Sequence, residues 1–84
     1  MEENLEVIRE SLVSFTSLKK DEIHLNSDLS GDLCLESIDR LELVLNLEEI
    51  YKVTVPPEEY SFCSTIQDVI QLIKTEQQKM EEII

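Results

Sequence analysis

From Glu3 to about Thr16 the apolar residues Leu5, Ile8, Leu12 and Phe15 recur at spacings of three, four and three. That spacing stacks them on one side of a 3.6-residue repeat and predicts a first amphipathic helix. Glu2, Glu3 and Glu6 sit in its first turn and Lys19 and Lys20 follow its end, the order the helix dipole favours. Between Ser17 and Glu36 the period fails. Asp21, Asn26, Ser27, Asp28, Ser30, Gly31 and Asp32 interrupt it, and Ile23, Leu25, Leu29 and Leu33 stand as isolated apolar anchors. An ordered loop of about twenty residues is expected there, longer than usual connections and of a length that commonly serves function. Ser37 opens a second helix that runs to about Tyr51 with neither Gly nor Pro inside it. Lys52-Val53-Thr54-Val55 is β-branched and leads into Pro56-Pro57, where the residue before each Pro leaves the helical region. Pro57-Glu58-Glu59-Tyr60 reads as one short helical turn. Thr65-Ile66-Gln67-Asp68 approximates a capping box, followed by the stripe Ile66, Val69, Ile70 and Ile73 of a last helix. Lys74 to Ile84 is mostly polar and is expected to continue that helix and fray. The fold class is all-α: a four-helix bundle of three main helices and one short one, with a long loop between the first two. No repeat or sustained heptad is present. Residues 1–76 make the domain and residues 77–84 a polar C-terminal extension.

Wound at about 100° per residue, the second helix places Leu43, Val44, Leu47, Ile50 and Tyr51 on one half, which is the expected core stripe. The other half carries Glu42, Glu48 and Glu49 with Ile38, Leu41 and Leu45 among them. A helix that only had to bury one stripe would be polar there, so a face both acidic and apolar reads as a partner surface. The competing reading buries this helix on all sides. It would cost several kcal/mol for each unpaired glutamate, with seven cations in the chain to share. Ser37 borders this face.

Charge narrows the partners. The 84 residues hold nineteen acids against seven Lys and Arg, a net charge of −12, which repels nucleic acid and anionic membrane surfaces and favours basic proteins. A hydrophobic fraction of 42% is enough for one compact domain. The N-terminus lacks the basic and apolar regions of a signal peptide, and the longest uncharged stretches, Ser11 to Leu18 and Tyr60 to Gln67, are too short for a transmembrane segment. A cytoplasmic monomer is expected, with Cys34 and Cys63 as reduced, small buried hydrophobes and His24 as a surface loop residue. Two cysteines and one histidine make no metal cluster. Asn26 to Gly31 begins like a calcium-binding loop, but its twelfth position, which needs a bidentate Glu, is Ser37.

Ser37 is no catalytic nucleophile, since the one histidine lies thirteen residues back and no Gly-x-Ser-x-Gly elbow surrounds it. Two roles remain open from the residues: a cap for its own helix, or a carrier of an anionic modification that meets the free amides and positive dipole of a helix start. The run Gly31-Asp32-Leu33-Cys34-Leu35-Glu36-Ser37-Ile38-Asp39-Arg40-Leu41-Glu42-Leu43-Val44, with Leu47-Glu48-Glu49, Val53-Thr54-Val55-Pro56 and Thr65-Ile66-Gln67-Asp68-Val69, resembles an acyl carrier protein over nearly the whole chain. The resemblance implies that Ser37 is esterified by 4′-phosphopantetheine from coenzyme A, through a phosphopantetheinyl transferase (holo-carrier synthase) aided by Mg²⁺. It implies an arm that holds acyl groups as thioesters, and a second helix docking on basic patches of acyl synthase, transferase or ligase enzymes of fatty acid, related acyl or polyketide synthesis. The chain itself would catalyse nothing.

The docking residues on this reading are Glu36, Ile38, Asp39, Leu41, Glu42, Leu45, Glu48 and Glu49, charges setting the encounter rate and apolar groups holding the complex. Asp28 to Glu59 holds nine acids and two cations, Arg40 and Lys52. A dry slot for an acyl chain would lie among Val44, Leu47, Tyr60, Phe62, Ile66 and Ile70, unless these simply fill the core. Two departures stand out. The family signature Asp-Ser-Leu is here Glu36-Ser37-Ile38, and the longer Glu is a poorer cap, which suggests that Ser37 caps the helix itself. Arg40 is a long cation one turn after Ser37, on the core side of the helix, where the family generally has something smaller or uncharged. A D-alanyl or peptidyl carrier, or an unmodified acidic helical interaction module, are the alternatives.

Overall fold

The computed structural model describes residues 2–83, with side chains from Glu3 to Lys79. The helices are α1 (Glu2–Phe15), α2 (Ser37–Tyr51), α3 (Pro57–Tyr60) and α4 (Ile66–Ile83), and a 3₁₀ turn at Lys20–Glu22 interrupts the first connection. The architecture is the expected all-α bundle. The stripe of α1 turns inward on α2 and α4, and α3 packs on α4. Leu5, Ile8, Leu12, Leu43, Val44, Leu47, Ile66, Val69, Ile70 and Ile73 form the core, joined by Val53 and Val55 from the β-branched run. Polar bonds fix the helix pairing. The Asn46 amide donates to Ser11 Oγ at 3.1 Å between α2 and α1, and the Tyr51 hydroxyl donates to Asn4 Oδ1 at 3.0 Å.

The long connection is anchored rather than loose. Ile23, Leu29, Leu33 and Leu35 are buried, and Arg9 Nε donates to the Ile23 carbonyl at 2.8 Å. Residues 25–29 run antiparallel to the chain entering α4. The Leu29 amide donates to the Ser64 carbonyl at 2.8 Å, the Ile66 amide to Ser27 at 3.2 Å and the Gln67 amide to Leu25 at 2.8 Å. The capping box read at Thr65–Asp68 is present. Asp68 Oδ2 accepts the Ser64 and Thr65 amides at 2.9 and 3.1 Å, and Thr65 Oγ1 accepts the Asp68 amide at 3.2 Å.

Two expectations change. Ile50 is half exposed. The core direction of α2 runs through Leu43, Leu47 and Val44, and Ile50 sits at its edge, against a shallow groove with Val7 and Ser11 of α1. Cys34 is exposed, while Cys63 is buried, and burial pushes the Cys63 thiol above its usual range. The backbone of α4 continues through residues 77–83, the continuation expected of this polar segment. Ile84 lies outside the described residues.

An acid pair ties α3 to α4. Glu59 and the buried Glu76 share Lys79, whose Nζ lies 3.6 Å from Glu59 Oε1 and 3.3 Å from Glu76 Oε1. Glu59 Oε2 is shut from solvent without a hydrogen-bond partner. The carboxyl-to-carboxyl contact with Glu76, then burial, raise the Glu59 pKa above the ordinary 4.5. Asp28 and Asp68 are held below 3.8, first by the backbone amides that they accept. The raised Glu59 binds its proton more tightly folded than unfolded, so acidification through that raised value adds stability. The lowered aspartates contribute above pH 3.8, and their contribution is lost as pH falls through their folded values. Glu59 should therefore add to the urea midpoint as pH falls through its raised value toward 4.5, and the two aspartates should subtract from it as pH falls below 3.8. Glu59→Gln should remove the first contribution; midpoints that move in parallel in the native and variant chains would contradict this assignment.

Candidate functional site

The chain arrives at α2 through a bend that organises itself. Asp28 Oδ1 accepts the amides of Ser30 and Gly31, both at 3.0 Å, and Asp32 Oδ2 accepts the Asp28 amide at 2.7 Å. Leu33 and Leu35, two residues apart, are buried while Cys34 between them is exposed with a left-handed φ of 54°, so the chain alternates here between core and solvent.

Glu36 occupies the N-cap position of α2, and Asp39 Oδ2 accepts its amide at 3.1 Å. Ser37 is therefore the first helical residue rather than the cap, which corrects the reading that it caps the helix itself. The reason is the reciprocal carboxylate three residues on, which compensates for a mediocre capping residue. Ser37 is exposed, and its hydroxyl has no hydrogen-bond partner among the described residues. It opens onto a cleft shared with Arg40, Tyr60 and Ser61. The first-turn amides of α2 and the positive end of its dipole face the same side, so an anion on the Ser37 oxygen is electrostatically favoured there.

Along the helix, Ile38 is 70% exposed, Leu41 40% and Leu45 50%. Glu42 and Glu49 are exposed beside them, as is Glu36. The apolar side chains mixed with acids are thus surface residues, and the reading in which α2 is buried all round is not the one observed. Glu48 departs from its expected place on this face. It is half-buried, and its Oε2 accepts the Val55 amide at 2.7 Å, fastening the extended 53–55 run to α2. A carboxylate that satisfies a backbone amide close to the core is a structural group. Asp39 is half-buried and engaged in the cap.

The six proposed slot residues do not converge. Leu47, Ile66 and Ile70 lie in filled core at 0%, 0% and 1% exposure, and Phe62 is 84% exposed on the link between α3 and α4. Phe62 follows α3 in a tight turn, where its amide donates to the Glu59 carbonyl at 3.3 Å, and this turn carries the ring outward. Val44 and Tyr60 do line a cavity, of about 10 Å³, with Leu29, Leu43, Val55, Cys63 and Arg40 also in its wall. The Arg40 guanidinium was expected to reach past the helix end or snorkel outward. Instead its Nη2 donates to the Cys63 carbonyl at 2.7 Å, twenty-three residues along the chain. Only its register on the core side of α2 signalled this contact in the sequence.

Among the described residues no three His, Cys, Asp or Glu are grouped to hold a metal ion, and no helix is long and apolar enough to cross a membrane. Residues 6–73 match the family model described as a phosphopantetheine attachment site. The chain is 33% identical over 67 residues, 80% of each chain, to a protein named acyl carrier protein from Phytoplasma mali (strain AT). It is 35% identical over 68 residues, 81% of this chain and 87% of the relative, to an acyl carrier protein of Chlorobium phaeobacteroides (strain DSM 266 / SMG 266 / 2430). With the family model spanning most of its length and relatives of this identity covering four-fifths of it, the chain belongs to the acyl carrier protein family, whose members hold a covalently attached 4′-phosphopantetheine.

Proposed function

We propose that this chain holds acyl intermediates on an arm fastened to Ser37 and passes them between the enzymes of fatty acid synthesis or a related acyl or polyketide pathway. The observation that carries the reading is the Ser37 hydroxyl itself, solvent-exposed at the head of α2 and spared from capping by Glu36 and Asp39. These residues fit the group. The arm supplies a thiol that carries acyl groups as thioesters. The protein's own part is to offer the oxygen, to neutralise part of the phosphodiester charge with the first-turn amides, and to present a grip for partner enzymes. A separate phosphopantetheinyl transferase with Mg²⁺ makes the attachment. The test is transfer of the arm from coenzyme A to Ser37, read by intact mass.

Docking uses Ile38, Leu41 and Leu45 as the dry contact and Glu42 and Glu49, with Glu36, as the charges that attract a basic partner. Glu48 drops out, since its carboxylate holds Val55. Exposed charges act mainly on encounter rate and are screened by salt. Reversing Glu42 and Glu49 together to Lys should weaken binding to the transferase about tenfold at low salt and flatten the dependence of affinity on ionic strength. Surface plasmon resonance across a salt series checks it. An unchanged slope removes these two glutamates from the docking face.

A further inference from the structure

We propose that Arg40 closes the mouth of the interior cavity, so that this carrier keeps its cargo outside the bundle and is suited to short or polar acyl groups. The proposal rests on the carrier reading above.

The cavity between α2, α3 and α4 is apolar, and at about 10 Å³ it has room for roughly one water-sized sphere. Arg40 belongs to two surroundings at once. It forms part of the cavity wall with Val44 and Tyr60, and it lines the open cleft that also contains Ser37. Arg40 and Tyr60 line both, so these two side chains separate the attachment point from this apolar void, and Arg40 is the charged one of the pair.

The barrier is held in place. The 2.7 Å bond from Nη2 to the Cys63 carbonyl joins α2 to the segment entering α4, and it is the charge-assisted kind that is strong for its length. An alkyl chain entering here would displace a guanidinium from a part-buried bond, leave the Cys63 carbonyl without this donor, and put methylenes against a charge. A polar or very short acyl group needs none of this, because it gains little from burial.

The full-length chain and Arg40→Met would each be loaded from acetyl- and octanoyl-coenzyme A with a promiscuous transferase, and their thermal midpoints compared. In the native chain the octanoyl and acetyl forms should melt within about 1 °C of each other. In Arg40→Met the octanoyl form should melt about 5 °C above the acetyl form, because its tail is now buried. Arg40→Ala serves as a second variant should Met refill the mouth. A native octanoyl form stabilised as much as the variant overturns the proposal, and so does the absence of any octanoyl gain in both variants. A chain that accepts no arm counts against the carrier reading instead. The closure is then read separately on the unmodified chain with dissolved toluene, which should shift the Val69 and Ile73 amide resonances in Arg40→Met and leave them in place in the native chain. No shift in either Arg40 variant, or an equal shift in the native chain, refutes the closure.

Discussion

Incubated with coenzyme A, Mg²⁺ and a broad-range phosphopantetheinyl transferase, the native chain should gain the mass of one arm and the Ser37→Ala chain should gain none. The contrast is interpretable because Ala costs the fold almost nothing at this position. Ser37 is exposed at the first turn of α2, its hydroxyl bonds to nothing else described, and the cap belongs to Glu36 and Asp39. Ala is also the best helix former. Unmodified Ser37→Ala should therefore show the native far-UV spectrum and urea midpoint. Ser61 provides the specificity control. It shares the cleft with Ser37, but its hydroxyl donates to the Glu58 carbonyl at 3.0 Å, and Ser61→Ala should accept the arm as the native chain does. An unmodified native chain, or a Ser37→Ala chain that still gains mass, would sink the attachment reading and with it the shuttle.

The second large effect concerns stability, and it separates two leucines on one helix. Leu47 is fully buried, packed with Ile8 of α1 and Ile70 and Ile73 of α4. Truncating such a side chain to Ala removes its burial and leaves a void that close-packed neighbours fill only in part, which costs about 2–5 kcal/mol. Domains as a class are stable by roughly 5–15 kcal/mol, and small ones bury the least surface, so Leu47→Ala should bring this chain near its folding limit. Leu45, two residues earlier and half exposed, should lose no more than about 0.5 kcal/mol on the same change. Urea titrations at fixed pH compare them directly. Equal losses would mean that the two faces of α2 are not divided as described.

What was legible in the sequence is what periodicity and local chemistry encode. The three-four spacing of α1, the Ile66–Ile73 stripe, the two prolines that start α3 and the Thr65–Asp68 box each depend on near neighbours, and each is found in place. The mixed face of α2 was also readable, because Glu42 and Glu49 beside three large apolar residues have no inexpensive burial. The misses share a different cause. Glu48 looks like any acid of that face until Val55 folds back on it, and Arg40 looks misplaced until the Cys63 carbonyl appears beside it. Cys34 is turned outward between two buried leucines and Phe62 by the tight turn after α3, sides that a composition argument does not assign. Contacts between distant segments and the direction a turn imposes are set by tertiary closure, and no window of the sequence contains them.

The antiparallel pairing of residues 25–29 with the entrance to α4 makes the first connection a piece with a register. Lengthening an untethered loop is nearly harmless, since doubling its length costs only about 0.6 kcal/mol. Here a single inserted amino acid between Leu25 and Leu29 puts the bonds on one side of it out of register with those on the other, so that either Leu25 loses the Gln67 amide or Leu29 is drawn from the interior and the approach to Ser37 swings. Spacing, as much as side-chain identity, is what this segment transmits to the helix it precedes.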